Sequence, residues 1–183
     1  MINLKNYQPL VSIVTPLFNR KHLIDGLIES LHSQFYTHWE LVVIDDHSND
    51  GGFEYLVEKS VEEHRIRPYL RQSTTKGANS CRNQGVLQSK GEFVVFVDSD
   101  DILLPSALEI RVKMFAHHLD CDFLVFNGTF GDERGLSNQY LWNTESEQSD
   151  LIRFIKADSV WSITGGIFKK IFLAERNIVF DEQ

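Results

Sequence analysis

Phe93-Val94-Val95-Phe96-Val97-Asp98-Ser99-Asp100-Asp101 decides the fold: five apolar residues run straight into three carboxylates interrupted by one serine. A short unbroken run rich in Val and Phe reads as a strand buried on both faces. Acids placed where such a strand ends sit close together at the edge of a sheet, and like charges at that range repel. A hard divalent cation taking oxygen ligands, such as Mg2+ or Mn2+, offsets that repulsion. The plainer alternative has Asp101 capping the following helix while the other two acids face water. For an isolated D-x-D the plainer reading is the stronger, so the flanking sequence has to decide.

Outward from that stretch, strands and helices alternate. Upstream, Val11–Pro16 is a short apolar strand, and Lys21–Gln34 carries Leu23, Leu27, Ile28 and Leu31 at helical spacing. Glu40–Ile44 reads as a second strand ending in Asp45-Asp46, followed by capping side chains at Ser48-Asn49-Asp50 and a helix over Phe53–Glu63. Arg65–Arg71 is a third, shorter strand, Asn79–Ser89 a helix, and Glu92–Val97 the central strand. Downstream, Pro105 suits the first turn of a helix reaching His118, and Asp122–Asn127 is the next strand. This order predicts a layered α/β fold with a mostly parallel sheet. Gly128–Gln148, rich in Gly, Asp, Glu, Ser and Asn, reads as a long irregular segment of the functional or mobile kind. A short helix over Asp150–Ala157, a strand over Ile163–Phe168 interrupted by Gly165-Gly166, and a helix over Lys169–Glu175 close the chain.

At 183 residues the chain has the length of one domain with a sizeable core. Its 42% hydrophobic and 24% charged content is ordinary for a soluble globular protein. A formal charge of -8, with the acids spread along the chain, argues against general affinity for nucleic acid or anionic membrane. Cys81 and Cys121 lie far apart with no C-x-x-C spacing, so neither a disulfide framework nor a structural zinc site is supported. Met1–Leu10 lacks the apolar centre of a signal peptide, and no apolar run approaches a membrane span, so the expected location is the cytoplasm.

In a sheet of this kind ligands bind outside the carboxyl ends of the strands. Three such ends carry suggestive residues: Thr15-Pro16-Leu17-Phe18-Asn19, Asp45-Asp46-His47-Ser48 and Asp98-Ser99-Asp100-Asp101. An acid at the second end can accept a hydrogen bond from a ribose or a base N–H. Phe18 either stacks on a base or packs in the core, and Asp45 reads as a capping residue. Lys76-Gly77-Ala78-Asn79-Ser80-Cys81-Arg82 opens a helix, with Gly77 allowing close approach of backbone N–H groups to an anion. Arg82 either contacts a phosphate or pairs with a strand-end acid.

Val11-Ser12-Ile13-Val14-Thr15-Pro16-Leu17-Phe18-Asn19, then Ile44-Asp45-Asp46-His47-Ser48-Asn49-Asp50, then Gly77 with Arg82-Asn83-Gln84-Gly85, then Phe96-Val97-Asp98-Ser99-Asp100-Asp101 together resemble the family 2 glycosyltransferases. Each piece alone is a weak signal; four in this order and spacing are a strong one, covering about residues 10–128. The resemblance implies a GT-A-like three-layer α/β/α sandwich and an inverting, metal-dependent transfer of a sugar from a nucleoside-diphosphate donor, a UDP-sugar by preference. It implies that Asp46 contacts the base, that Pro16 and Phe18 flank it, and that Asp98 and Asp100 form the D-x-D. Asp100 would hold the Mn2+ or Mg2+ most directly, and Asp98 would contact ribose or metal. Asn19, Gly77 and Arg82 complete the candidate nucleotide-binding set. Phe18 departs from the commoner Tyr, losing a hydroxyl but keeping the stacking face, and Cys81 stands where a small Ala is usual.

On this view residues 1–128 form the donor-binding subdomain, and residues 129–183 begin the acceptor-side region of the same domain. The acceptor would be a saccharide or another hydroxyl compound of the bacterial cell envelope, reached from the cytoplasm or the inner face of the membrane. Trp142 is a candidate sugar-stacking residue or lid, whereas Trp161 reads better as an anchor for the last helix. A growing negative charge on the leaving diphosphate suits a bridging divalent cation. Inversion needs one general base for the acceptor hydroxyl. In relatives that base lies beyond a segment similar to Ile178-Val179-Phe180-Asp181-Glu182, so it is expected past Gln183 and the chain is expected to be a donor-binding fragment. Two rival readings are an inactive sugar-nucleotide-binding module and a haloacid-dehalogenase-like phosphatase. The second rests on Asp98-Ser99-Asp100-Asp101-Ile102, one residue from D-x-D-x-[TV], but that pattern opens its domain, whereas three strands precede it here.

Overall fold

Val11–Leu17 (β1) leads into Lys21–His32 (α1), and this pairing of strand and helix repeats along the chain. Trp39–Asp45 (β2), Gly52–Glu62 (α2), Ile66–Leu70 (β3), Ala78–Gln88 (α3), Phe93–Phe96 (β4), Ala107–His117 (α4) and Phe123–Val125 (β5) follow. Then come Thr129–Asp132 (β6), Gly135–Tyr140 (β7), a single 3-10 turn at Ile163–Gly165, Gly166–Lys169 (β8) and Lys170–Glu175 (α5). The structure, a computed structural model, describes residues 7–132, 135–140 and 162–182.

Six strands form one sheet in the order β3-β2-β1-β4-β8-β5. β2 and β4 flank β1 in parallel, and β3 runs parallel to β2. β8 alone runs against its neighbours β4 and β5. The mostly parallel sheet is therefore as the apolar runs imply. Every residue of β2 and β4 is buried, which explains the apolar runs Leu41–Ile44 and Phe93–Phe96. Alternate side chains serve two cores. Ile13, Leu17, Leu41, Val43 and Val95 pack with Ile24 and Leu27 of α1, Leu56 of α2 and Leu108 and Phe115 of α4. Val14, Val42, Ile44, Val94 and Phe96 pack with Cys81 of α3 and Leu173 of α5. Helices on both faces of one sheet give the three-layer GT-A architecture.

Close seating of α3 on β1 depends on Gly85. A Cβ added there would lie 2.2 Å from Val14 Cγ1, so only hydrogen fits. At the amino end of the sheet, Glu40 is buried but satisfied by Ser12 Oγ at 2.6 Å, Arg67 Nη1 at 2.6 Å and the Lys90 N–H at 2.5 Å. Burial pushes its carboxyl up, and these donors together more than offset that, holding it below the usual carboxylate range.

Three expectations need correction. Part of the supposedly irregular stretch after Asn127 is an antiparallel hairpin, with Thr129 opposite Tyr140 and Asp132 opposite Gly135. An irregularity in register between Thr129 and Gly131 breaks the two-residue period that would have betrayed it. The strand expected from Ile163 starts only at Gly166, because Ile163–Gly165 turns tightly first. α4 begins at Ala107 rather than at Pro105, whose carbonyl instead accepts the Phe35 N–H at 2.9 Å. The helix expected over 150–157, together with Trp142 and Trp161, lies outside the described residues.

Candidate functional site

The sheet order turns back on itself at β1: the chain first adds β2 and β3 on one side, then crosses to place β4 on the other. A crevice opens at the carboxyl ends where the order reverses. There a cleft of about 330 Å³ is lined by Pro16, Phe18, Arg20, Asp46, Gly77, Arg82 and Asp98, with Leu17, Ala78, Cys81 and Ser99. Side chains from three separate strand ends and the start of α3 thus share one wall.

Asp46 follows β2 and is anchored by its own N–H to the Leu17 carbonyl at 2.8 Å. One carboxylate oxygen accepts from Arg71 Nε, and the other accepts the Gly77 N–H at 2.8 Å. Arg71 continues β3, its N–H bound to the Asp45 carbonyl at 2.9 Å, so parallel pairing brings it beside Asp46. Gly77 has φ +113°, a region that side-chain-bearing residues rarely enter. Its N–H is aimed at Asp46 rather than left open for an anion. Asp45 does not cap α2, whose N-cap is Gly51; one of its oxygens instead accepts the Ser48 N–H at 2.7 Å and closes a turn in the loop after β2. Its other oxygen is buried without a partner.

Asp98 accepts from Arg82 Nη2 at 2.6 Å, so Arg82 pairs with the strand-end acid. Asn79 Oδ1 accepts from Arg82 Nη1 at 3.2 Å, and the guanidinium lies 5.7 Å from the centre of the Phe180 ring. Asp100 meets Arg20 Nη1 at 2.5 Å. Asp101 does not cap α4, which starts six residues later with Ser106 before it. Its N–H instead closes a turn onto the Asp98 carbonyl at 3.0 Å. Burial first, then the charges of Asp98 and Asp100, push its carboxyl above the usual range. Asp98 and Asp100 thus act on Asp101, and each of them is itself paired with an arginine.

Phe18 is 56% exposed on the lip of the cleft, which sets aside core packing and leaves its ring available for stacking. Asn19 lies off the cleft wall. It adopts φ +52°, receives the Ser48 Oγ as acceptor for its N–H at 2.9 Å, and offers Oδ1 to the Asn49 N–H at 2.8 Å. It fastens the loop after β1 to the loop after β2. Cys81 sits on the floor of the cleft, where burial and then the charge of Asp46 push its thiol up to about 12.

Arg20 and Arg71 escape a reading of the sequence. Their partners are distant along the chain, and a single arginine outside a helix or strand has no periodic signal. The same holds for the fastening of residues 178–182 to α3. Asn83 donates to the Phe180 carbonyl at 2.9 Å and accepts the Phe180 N–H at 2.8 Å. Glu182 accepts from Asn83 at 2.8 Å and from Ser73 at 3.1 Å, a structural duty.

Among the described residues no group of three or more His, Cys, Asp or Glu side chains is arranged to hold a metal. The D-x-D offers two carboxylates, each with one oxygen on an arginine. Two carboxylates supplemented by phosphate oxygens and water are a fitting donor set for Mg2+ or Mn2+.

With this geometry in place, comparison with known proteins is informative. The family model for "Glycosyl transferase family 2" matches residues 12–179. The Campylobacter jejuni GalNAc(5)-diNAcBac-PP-undecaprenol beta-1,3-glucosyltransferase is 37% identical over 105 residues, 57% of this chain and 34% of its own length. The Escherichia coli UDP-Glc:alpha-D-GlcNAc-diphosphoundecaprenol beta-1,3-glucosyltransferase WfgD is 39% identical over 105 residues, 57% of this chain and 40% of its own. The crystal structure of S. aureus TarS 1–349 in complex with UDP-GlcNAc superposes with a TM-score of 0.73 and 27% identity, over 93% of this chain and 48% of that one. The chain thus spans half or less of each of these proteins.

Proposed function

Because the chain belongs to glycosyl transferase family 2, we propose that the cleft takes the nucleoside-diphosphate end of a sugar nucleotide, with UDP as the favoured nucleotide. The sugar passes to an acceptor hydroxyl with inversion. The observation that carries this reading is the convergence of Asp46 and Asp98, from separate strands, on one cleft at the point where the sheet order reverses. The activities for which the two glucosyltransferases are named, and the UDP-GlcNAc complex of TarS, support it.

Each residue has a part. Asp46, fixed in place by Arg71 and the Gly77 N–H, receives an N–H from the base edge. Phe18 and Pro16 flank the base, and Asp98 receives the ribose or joins Asp100 at the cation. Arg82 and Arg20 place positive charge beside the diphosphate. A divalent cation, Mn2+ or Mg2+, supplies Lewis-acid stabilisation of the leaving diphosphate when bound to Asp98 and Asp100. The acceptor-side region begins with residues 129–183, and the acceptor is a saccharide or another hydroxyl compound of the cell envelope. Asp46, Asp98 and Asp100 each carry an arginine partner, so the general base is assigned to none of them. Among the described residues no helix is long and apolar enough to cross a membrane.

Calorimetry of the chain with UDP, GDP and dTDP, each with and without Mn2+, tests the reading. UDP is expected to bind with Mn2+ present, and Asp100→Asn to abolish binding. Equal binding without metal, or an Asp100→Asn chain that binds as well as the parent, overturns it.

A further inference from the structure

We propose that Arg20 is an exchangeable counter-ion that covers Asp100 until cation and diphosphate arrive together, making the two ligands bind cooperatively. The proposal rests on the donor-site reading above and assigns this coupling to one named side chain.

The two arginines of the cleft are built differently. Arg82 is braced on three sides, by Asp98, Asn79 and the Phe180 ring, and its side chain is only 12% exposed. Arg20 lies just ahead of α1, makes no capping hydrogen bond, and has Asp100 as its ion-pair partner at 2.5 Å. Both members of that pair are nearly half exposed, at 46% and 45%. An ion pair so exposed shifts an equilibrium by no more than about fivefold. The contact is therefore easily exchanged, whereas that of Arg82 is not.

The surrounding charge explains why it forms. Asp98 and Asp101 stand within two residues of Asp100, so its carboxylate lies among like charges. Arg82 answers Asp98, and Arg20 answers Asp100. A bare divalent cation meets carboxylates already matched by positive charge. Arg20 also lines the cleft itself, so its guanidinium has a second destination there, the oxygens of a bound diphosphate. A diphosphate that draws Arg20 away uncovers Asp100 for the cation. By linkage, the cation tightens the diphosphate to the same degree.

The test titrates the parent chain, Arg20→Gln and Arg20→Lys with Mn2+ alone, UDP alone and both, following free Mn2+ by its electron-spin resonance. Arg20→Gln is expected to bind Mn2+ alone about two- to fivefold tighter than the parent. It is expected to bind UDP with Mn2+ at least threefold more weakly, so the coupling between the ligands shrinks. Arg20→Lys keeps the charge and is expected to stay near the parent for Mn2+ alone. If Arg20→Gln binds Mn2+ alone no more tightly than the parent, the counter-ion role is wrong. In that event a parent chain that still binds UDP with Mn2+, and loses it in Asp100→Asn, leaves the donor site intact. A parent chain that fails those two checks overturns both.

Discussion

Asp46 has both carboxylate oxygens engaged before any ligand arrives, one by Arg71 and one by the Gly77 N–H. Because Asp46 and Arg71 are both buried, replacing the acid removes the partner of a desolvated cation. Asp46→Asn keeps an amide oxygen for one of these donors and sets its N–H₂ against the other. It is expected to cost about 3 kcal/mol of stability and to abolish UDP binding, as read by urea unfolding and calorimetry. An unchanged urea midpoint would show that the pair is dispensable. Gly77→Ala isolates another effect, since an added Cβ meets nothing within 4 Å and only the φ of +113° resists it. The expected cost is about 1–3 kcal/mol, all of it backbone strain. These residue-level duties were unevenly legible. Asp46, Asp98 and Phe18 stand out because each ends an apolar run. Arg20 and Arg71 do not, since an ion pair across strand ends depends on topology and has no local pattern.

At the scale of elements, α3 matters most, because it carries Gly77 and Arg82 and is seated by Gly85 against Val14. Gly85→Ala forces the helix away from β1, at an expected cost of about 1–3 kcal/mol, and drags Arg82 from Asp98. Val14→Ala in the same chain removes the clashing methyls, so the double variant is expected to be more stable than the sum of the singles requires. Strict additivity in the double-mutant cycle would refute the contact. The opposite face of α3 grips the last described residues through Asn83. Asn83→Ala is expected to speed amide exchange at Phe180 while leaving β1 and β2 protected. The strands β1, β2 and β4 were readable because they are buried on both faces and so mostly apolar. The hairpin of β6 and β7 was not, since its composition is that of a loop and its register slips.

For the molecule as a whole, acid sensitivity follows from carboxylates that folding makes more acidic. Glu63 falls from 4.5 to about 2, with the Arg65 side chain the largest influence and burial opposing it. Glu40 and Asp50 are also lowered. A depressed folded value means that the unfolded chain binds protons first. The stabilisation is therefore complete above about pH 4.5 and drains away as pH falls towards about 2. Urea midpoints are expected to hold from pH 7 to 5 and then drop, with a shallower drop in Glu63→Gln. A midpoint that stays level down to pH 3 would contradict this account.

The reversed strand β8 has a consequence for synthesis. Among the described residues β5 joins the sheet by pairing with β8, and Phe123 lies opposite Phe168, 45 positions later in the chain. While the ribosome is still adding those residues, the sheet lacks the strand that joins β4 to β5, and an incomplete sheet invites pairing with a neighbouring nascent chain. Translation that stalls before Gly166 is released should yield insoluble product, whereas chains that reach Lys169 can close the sheet.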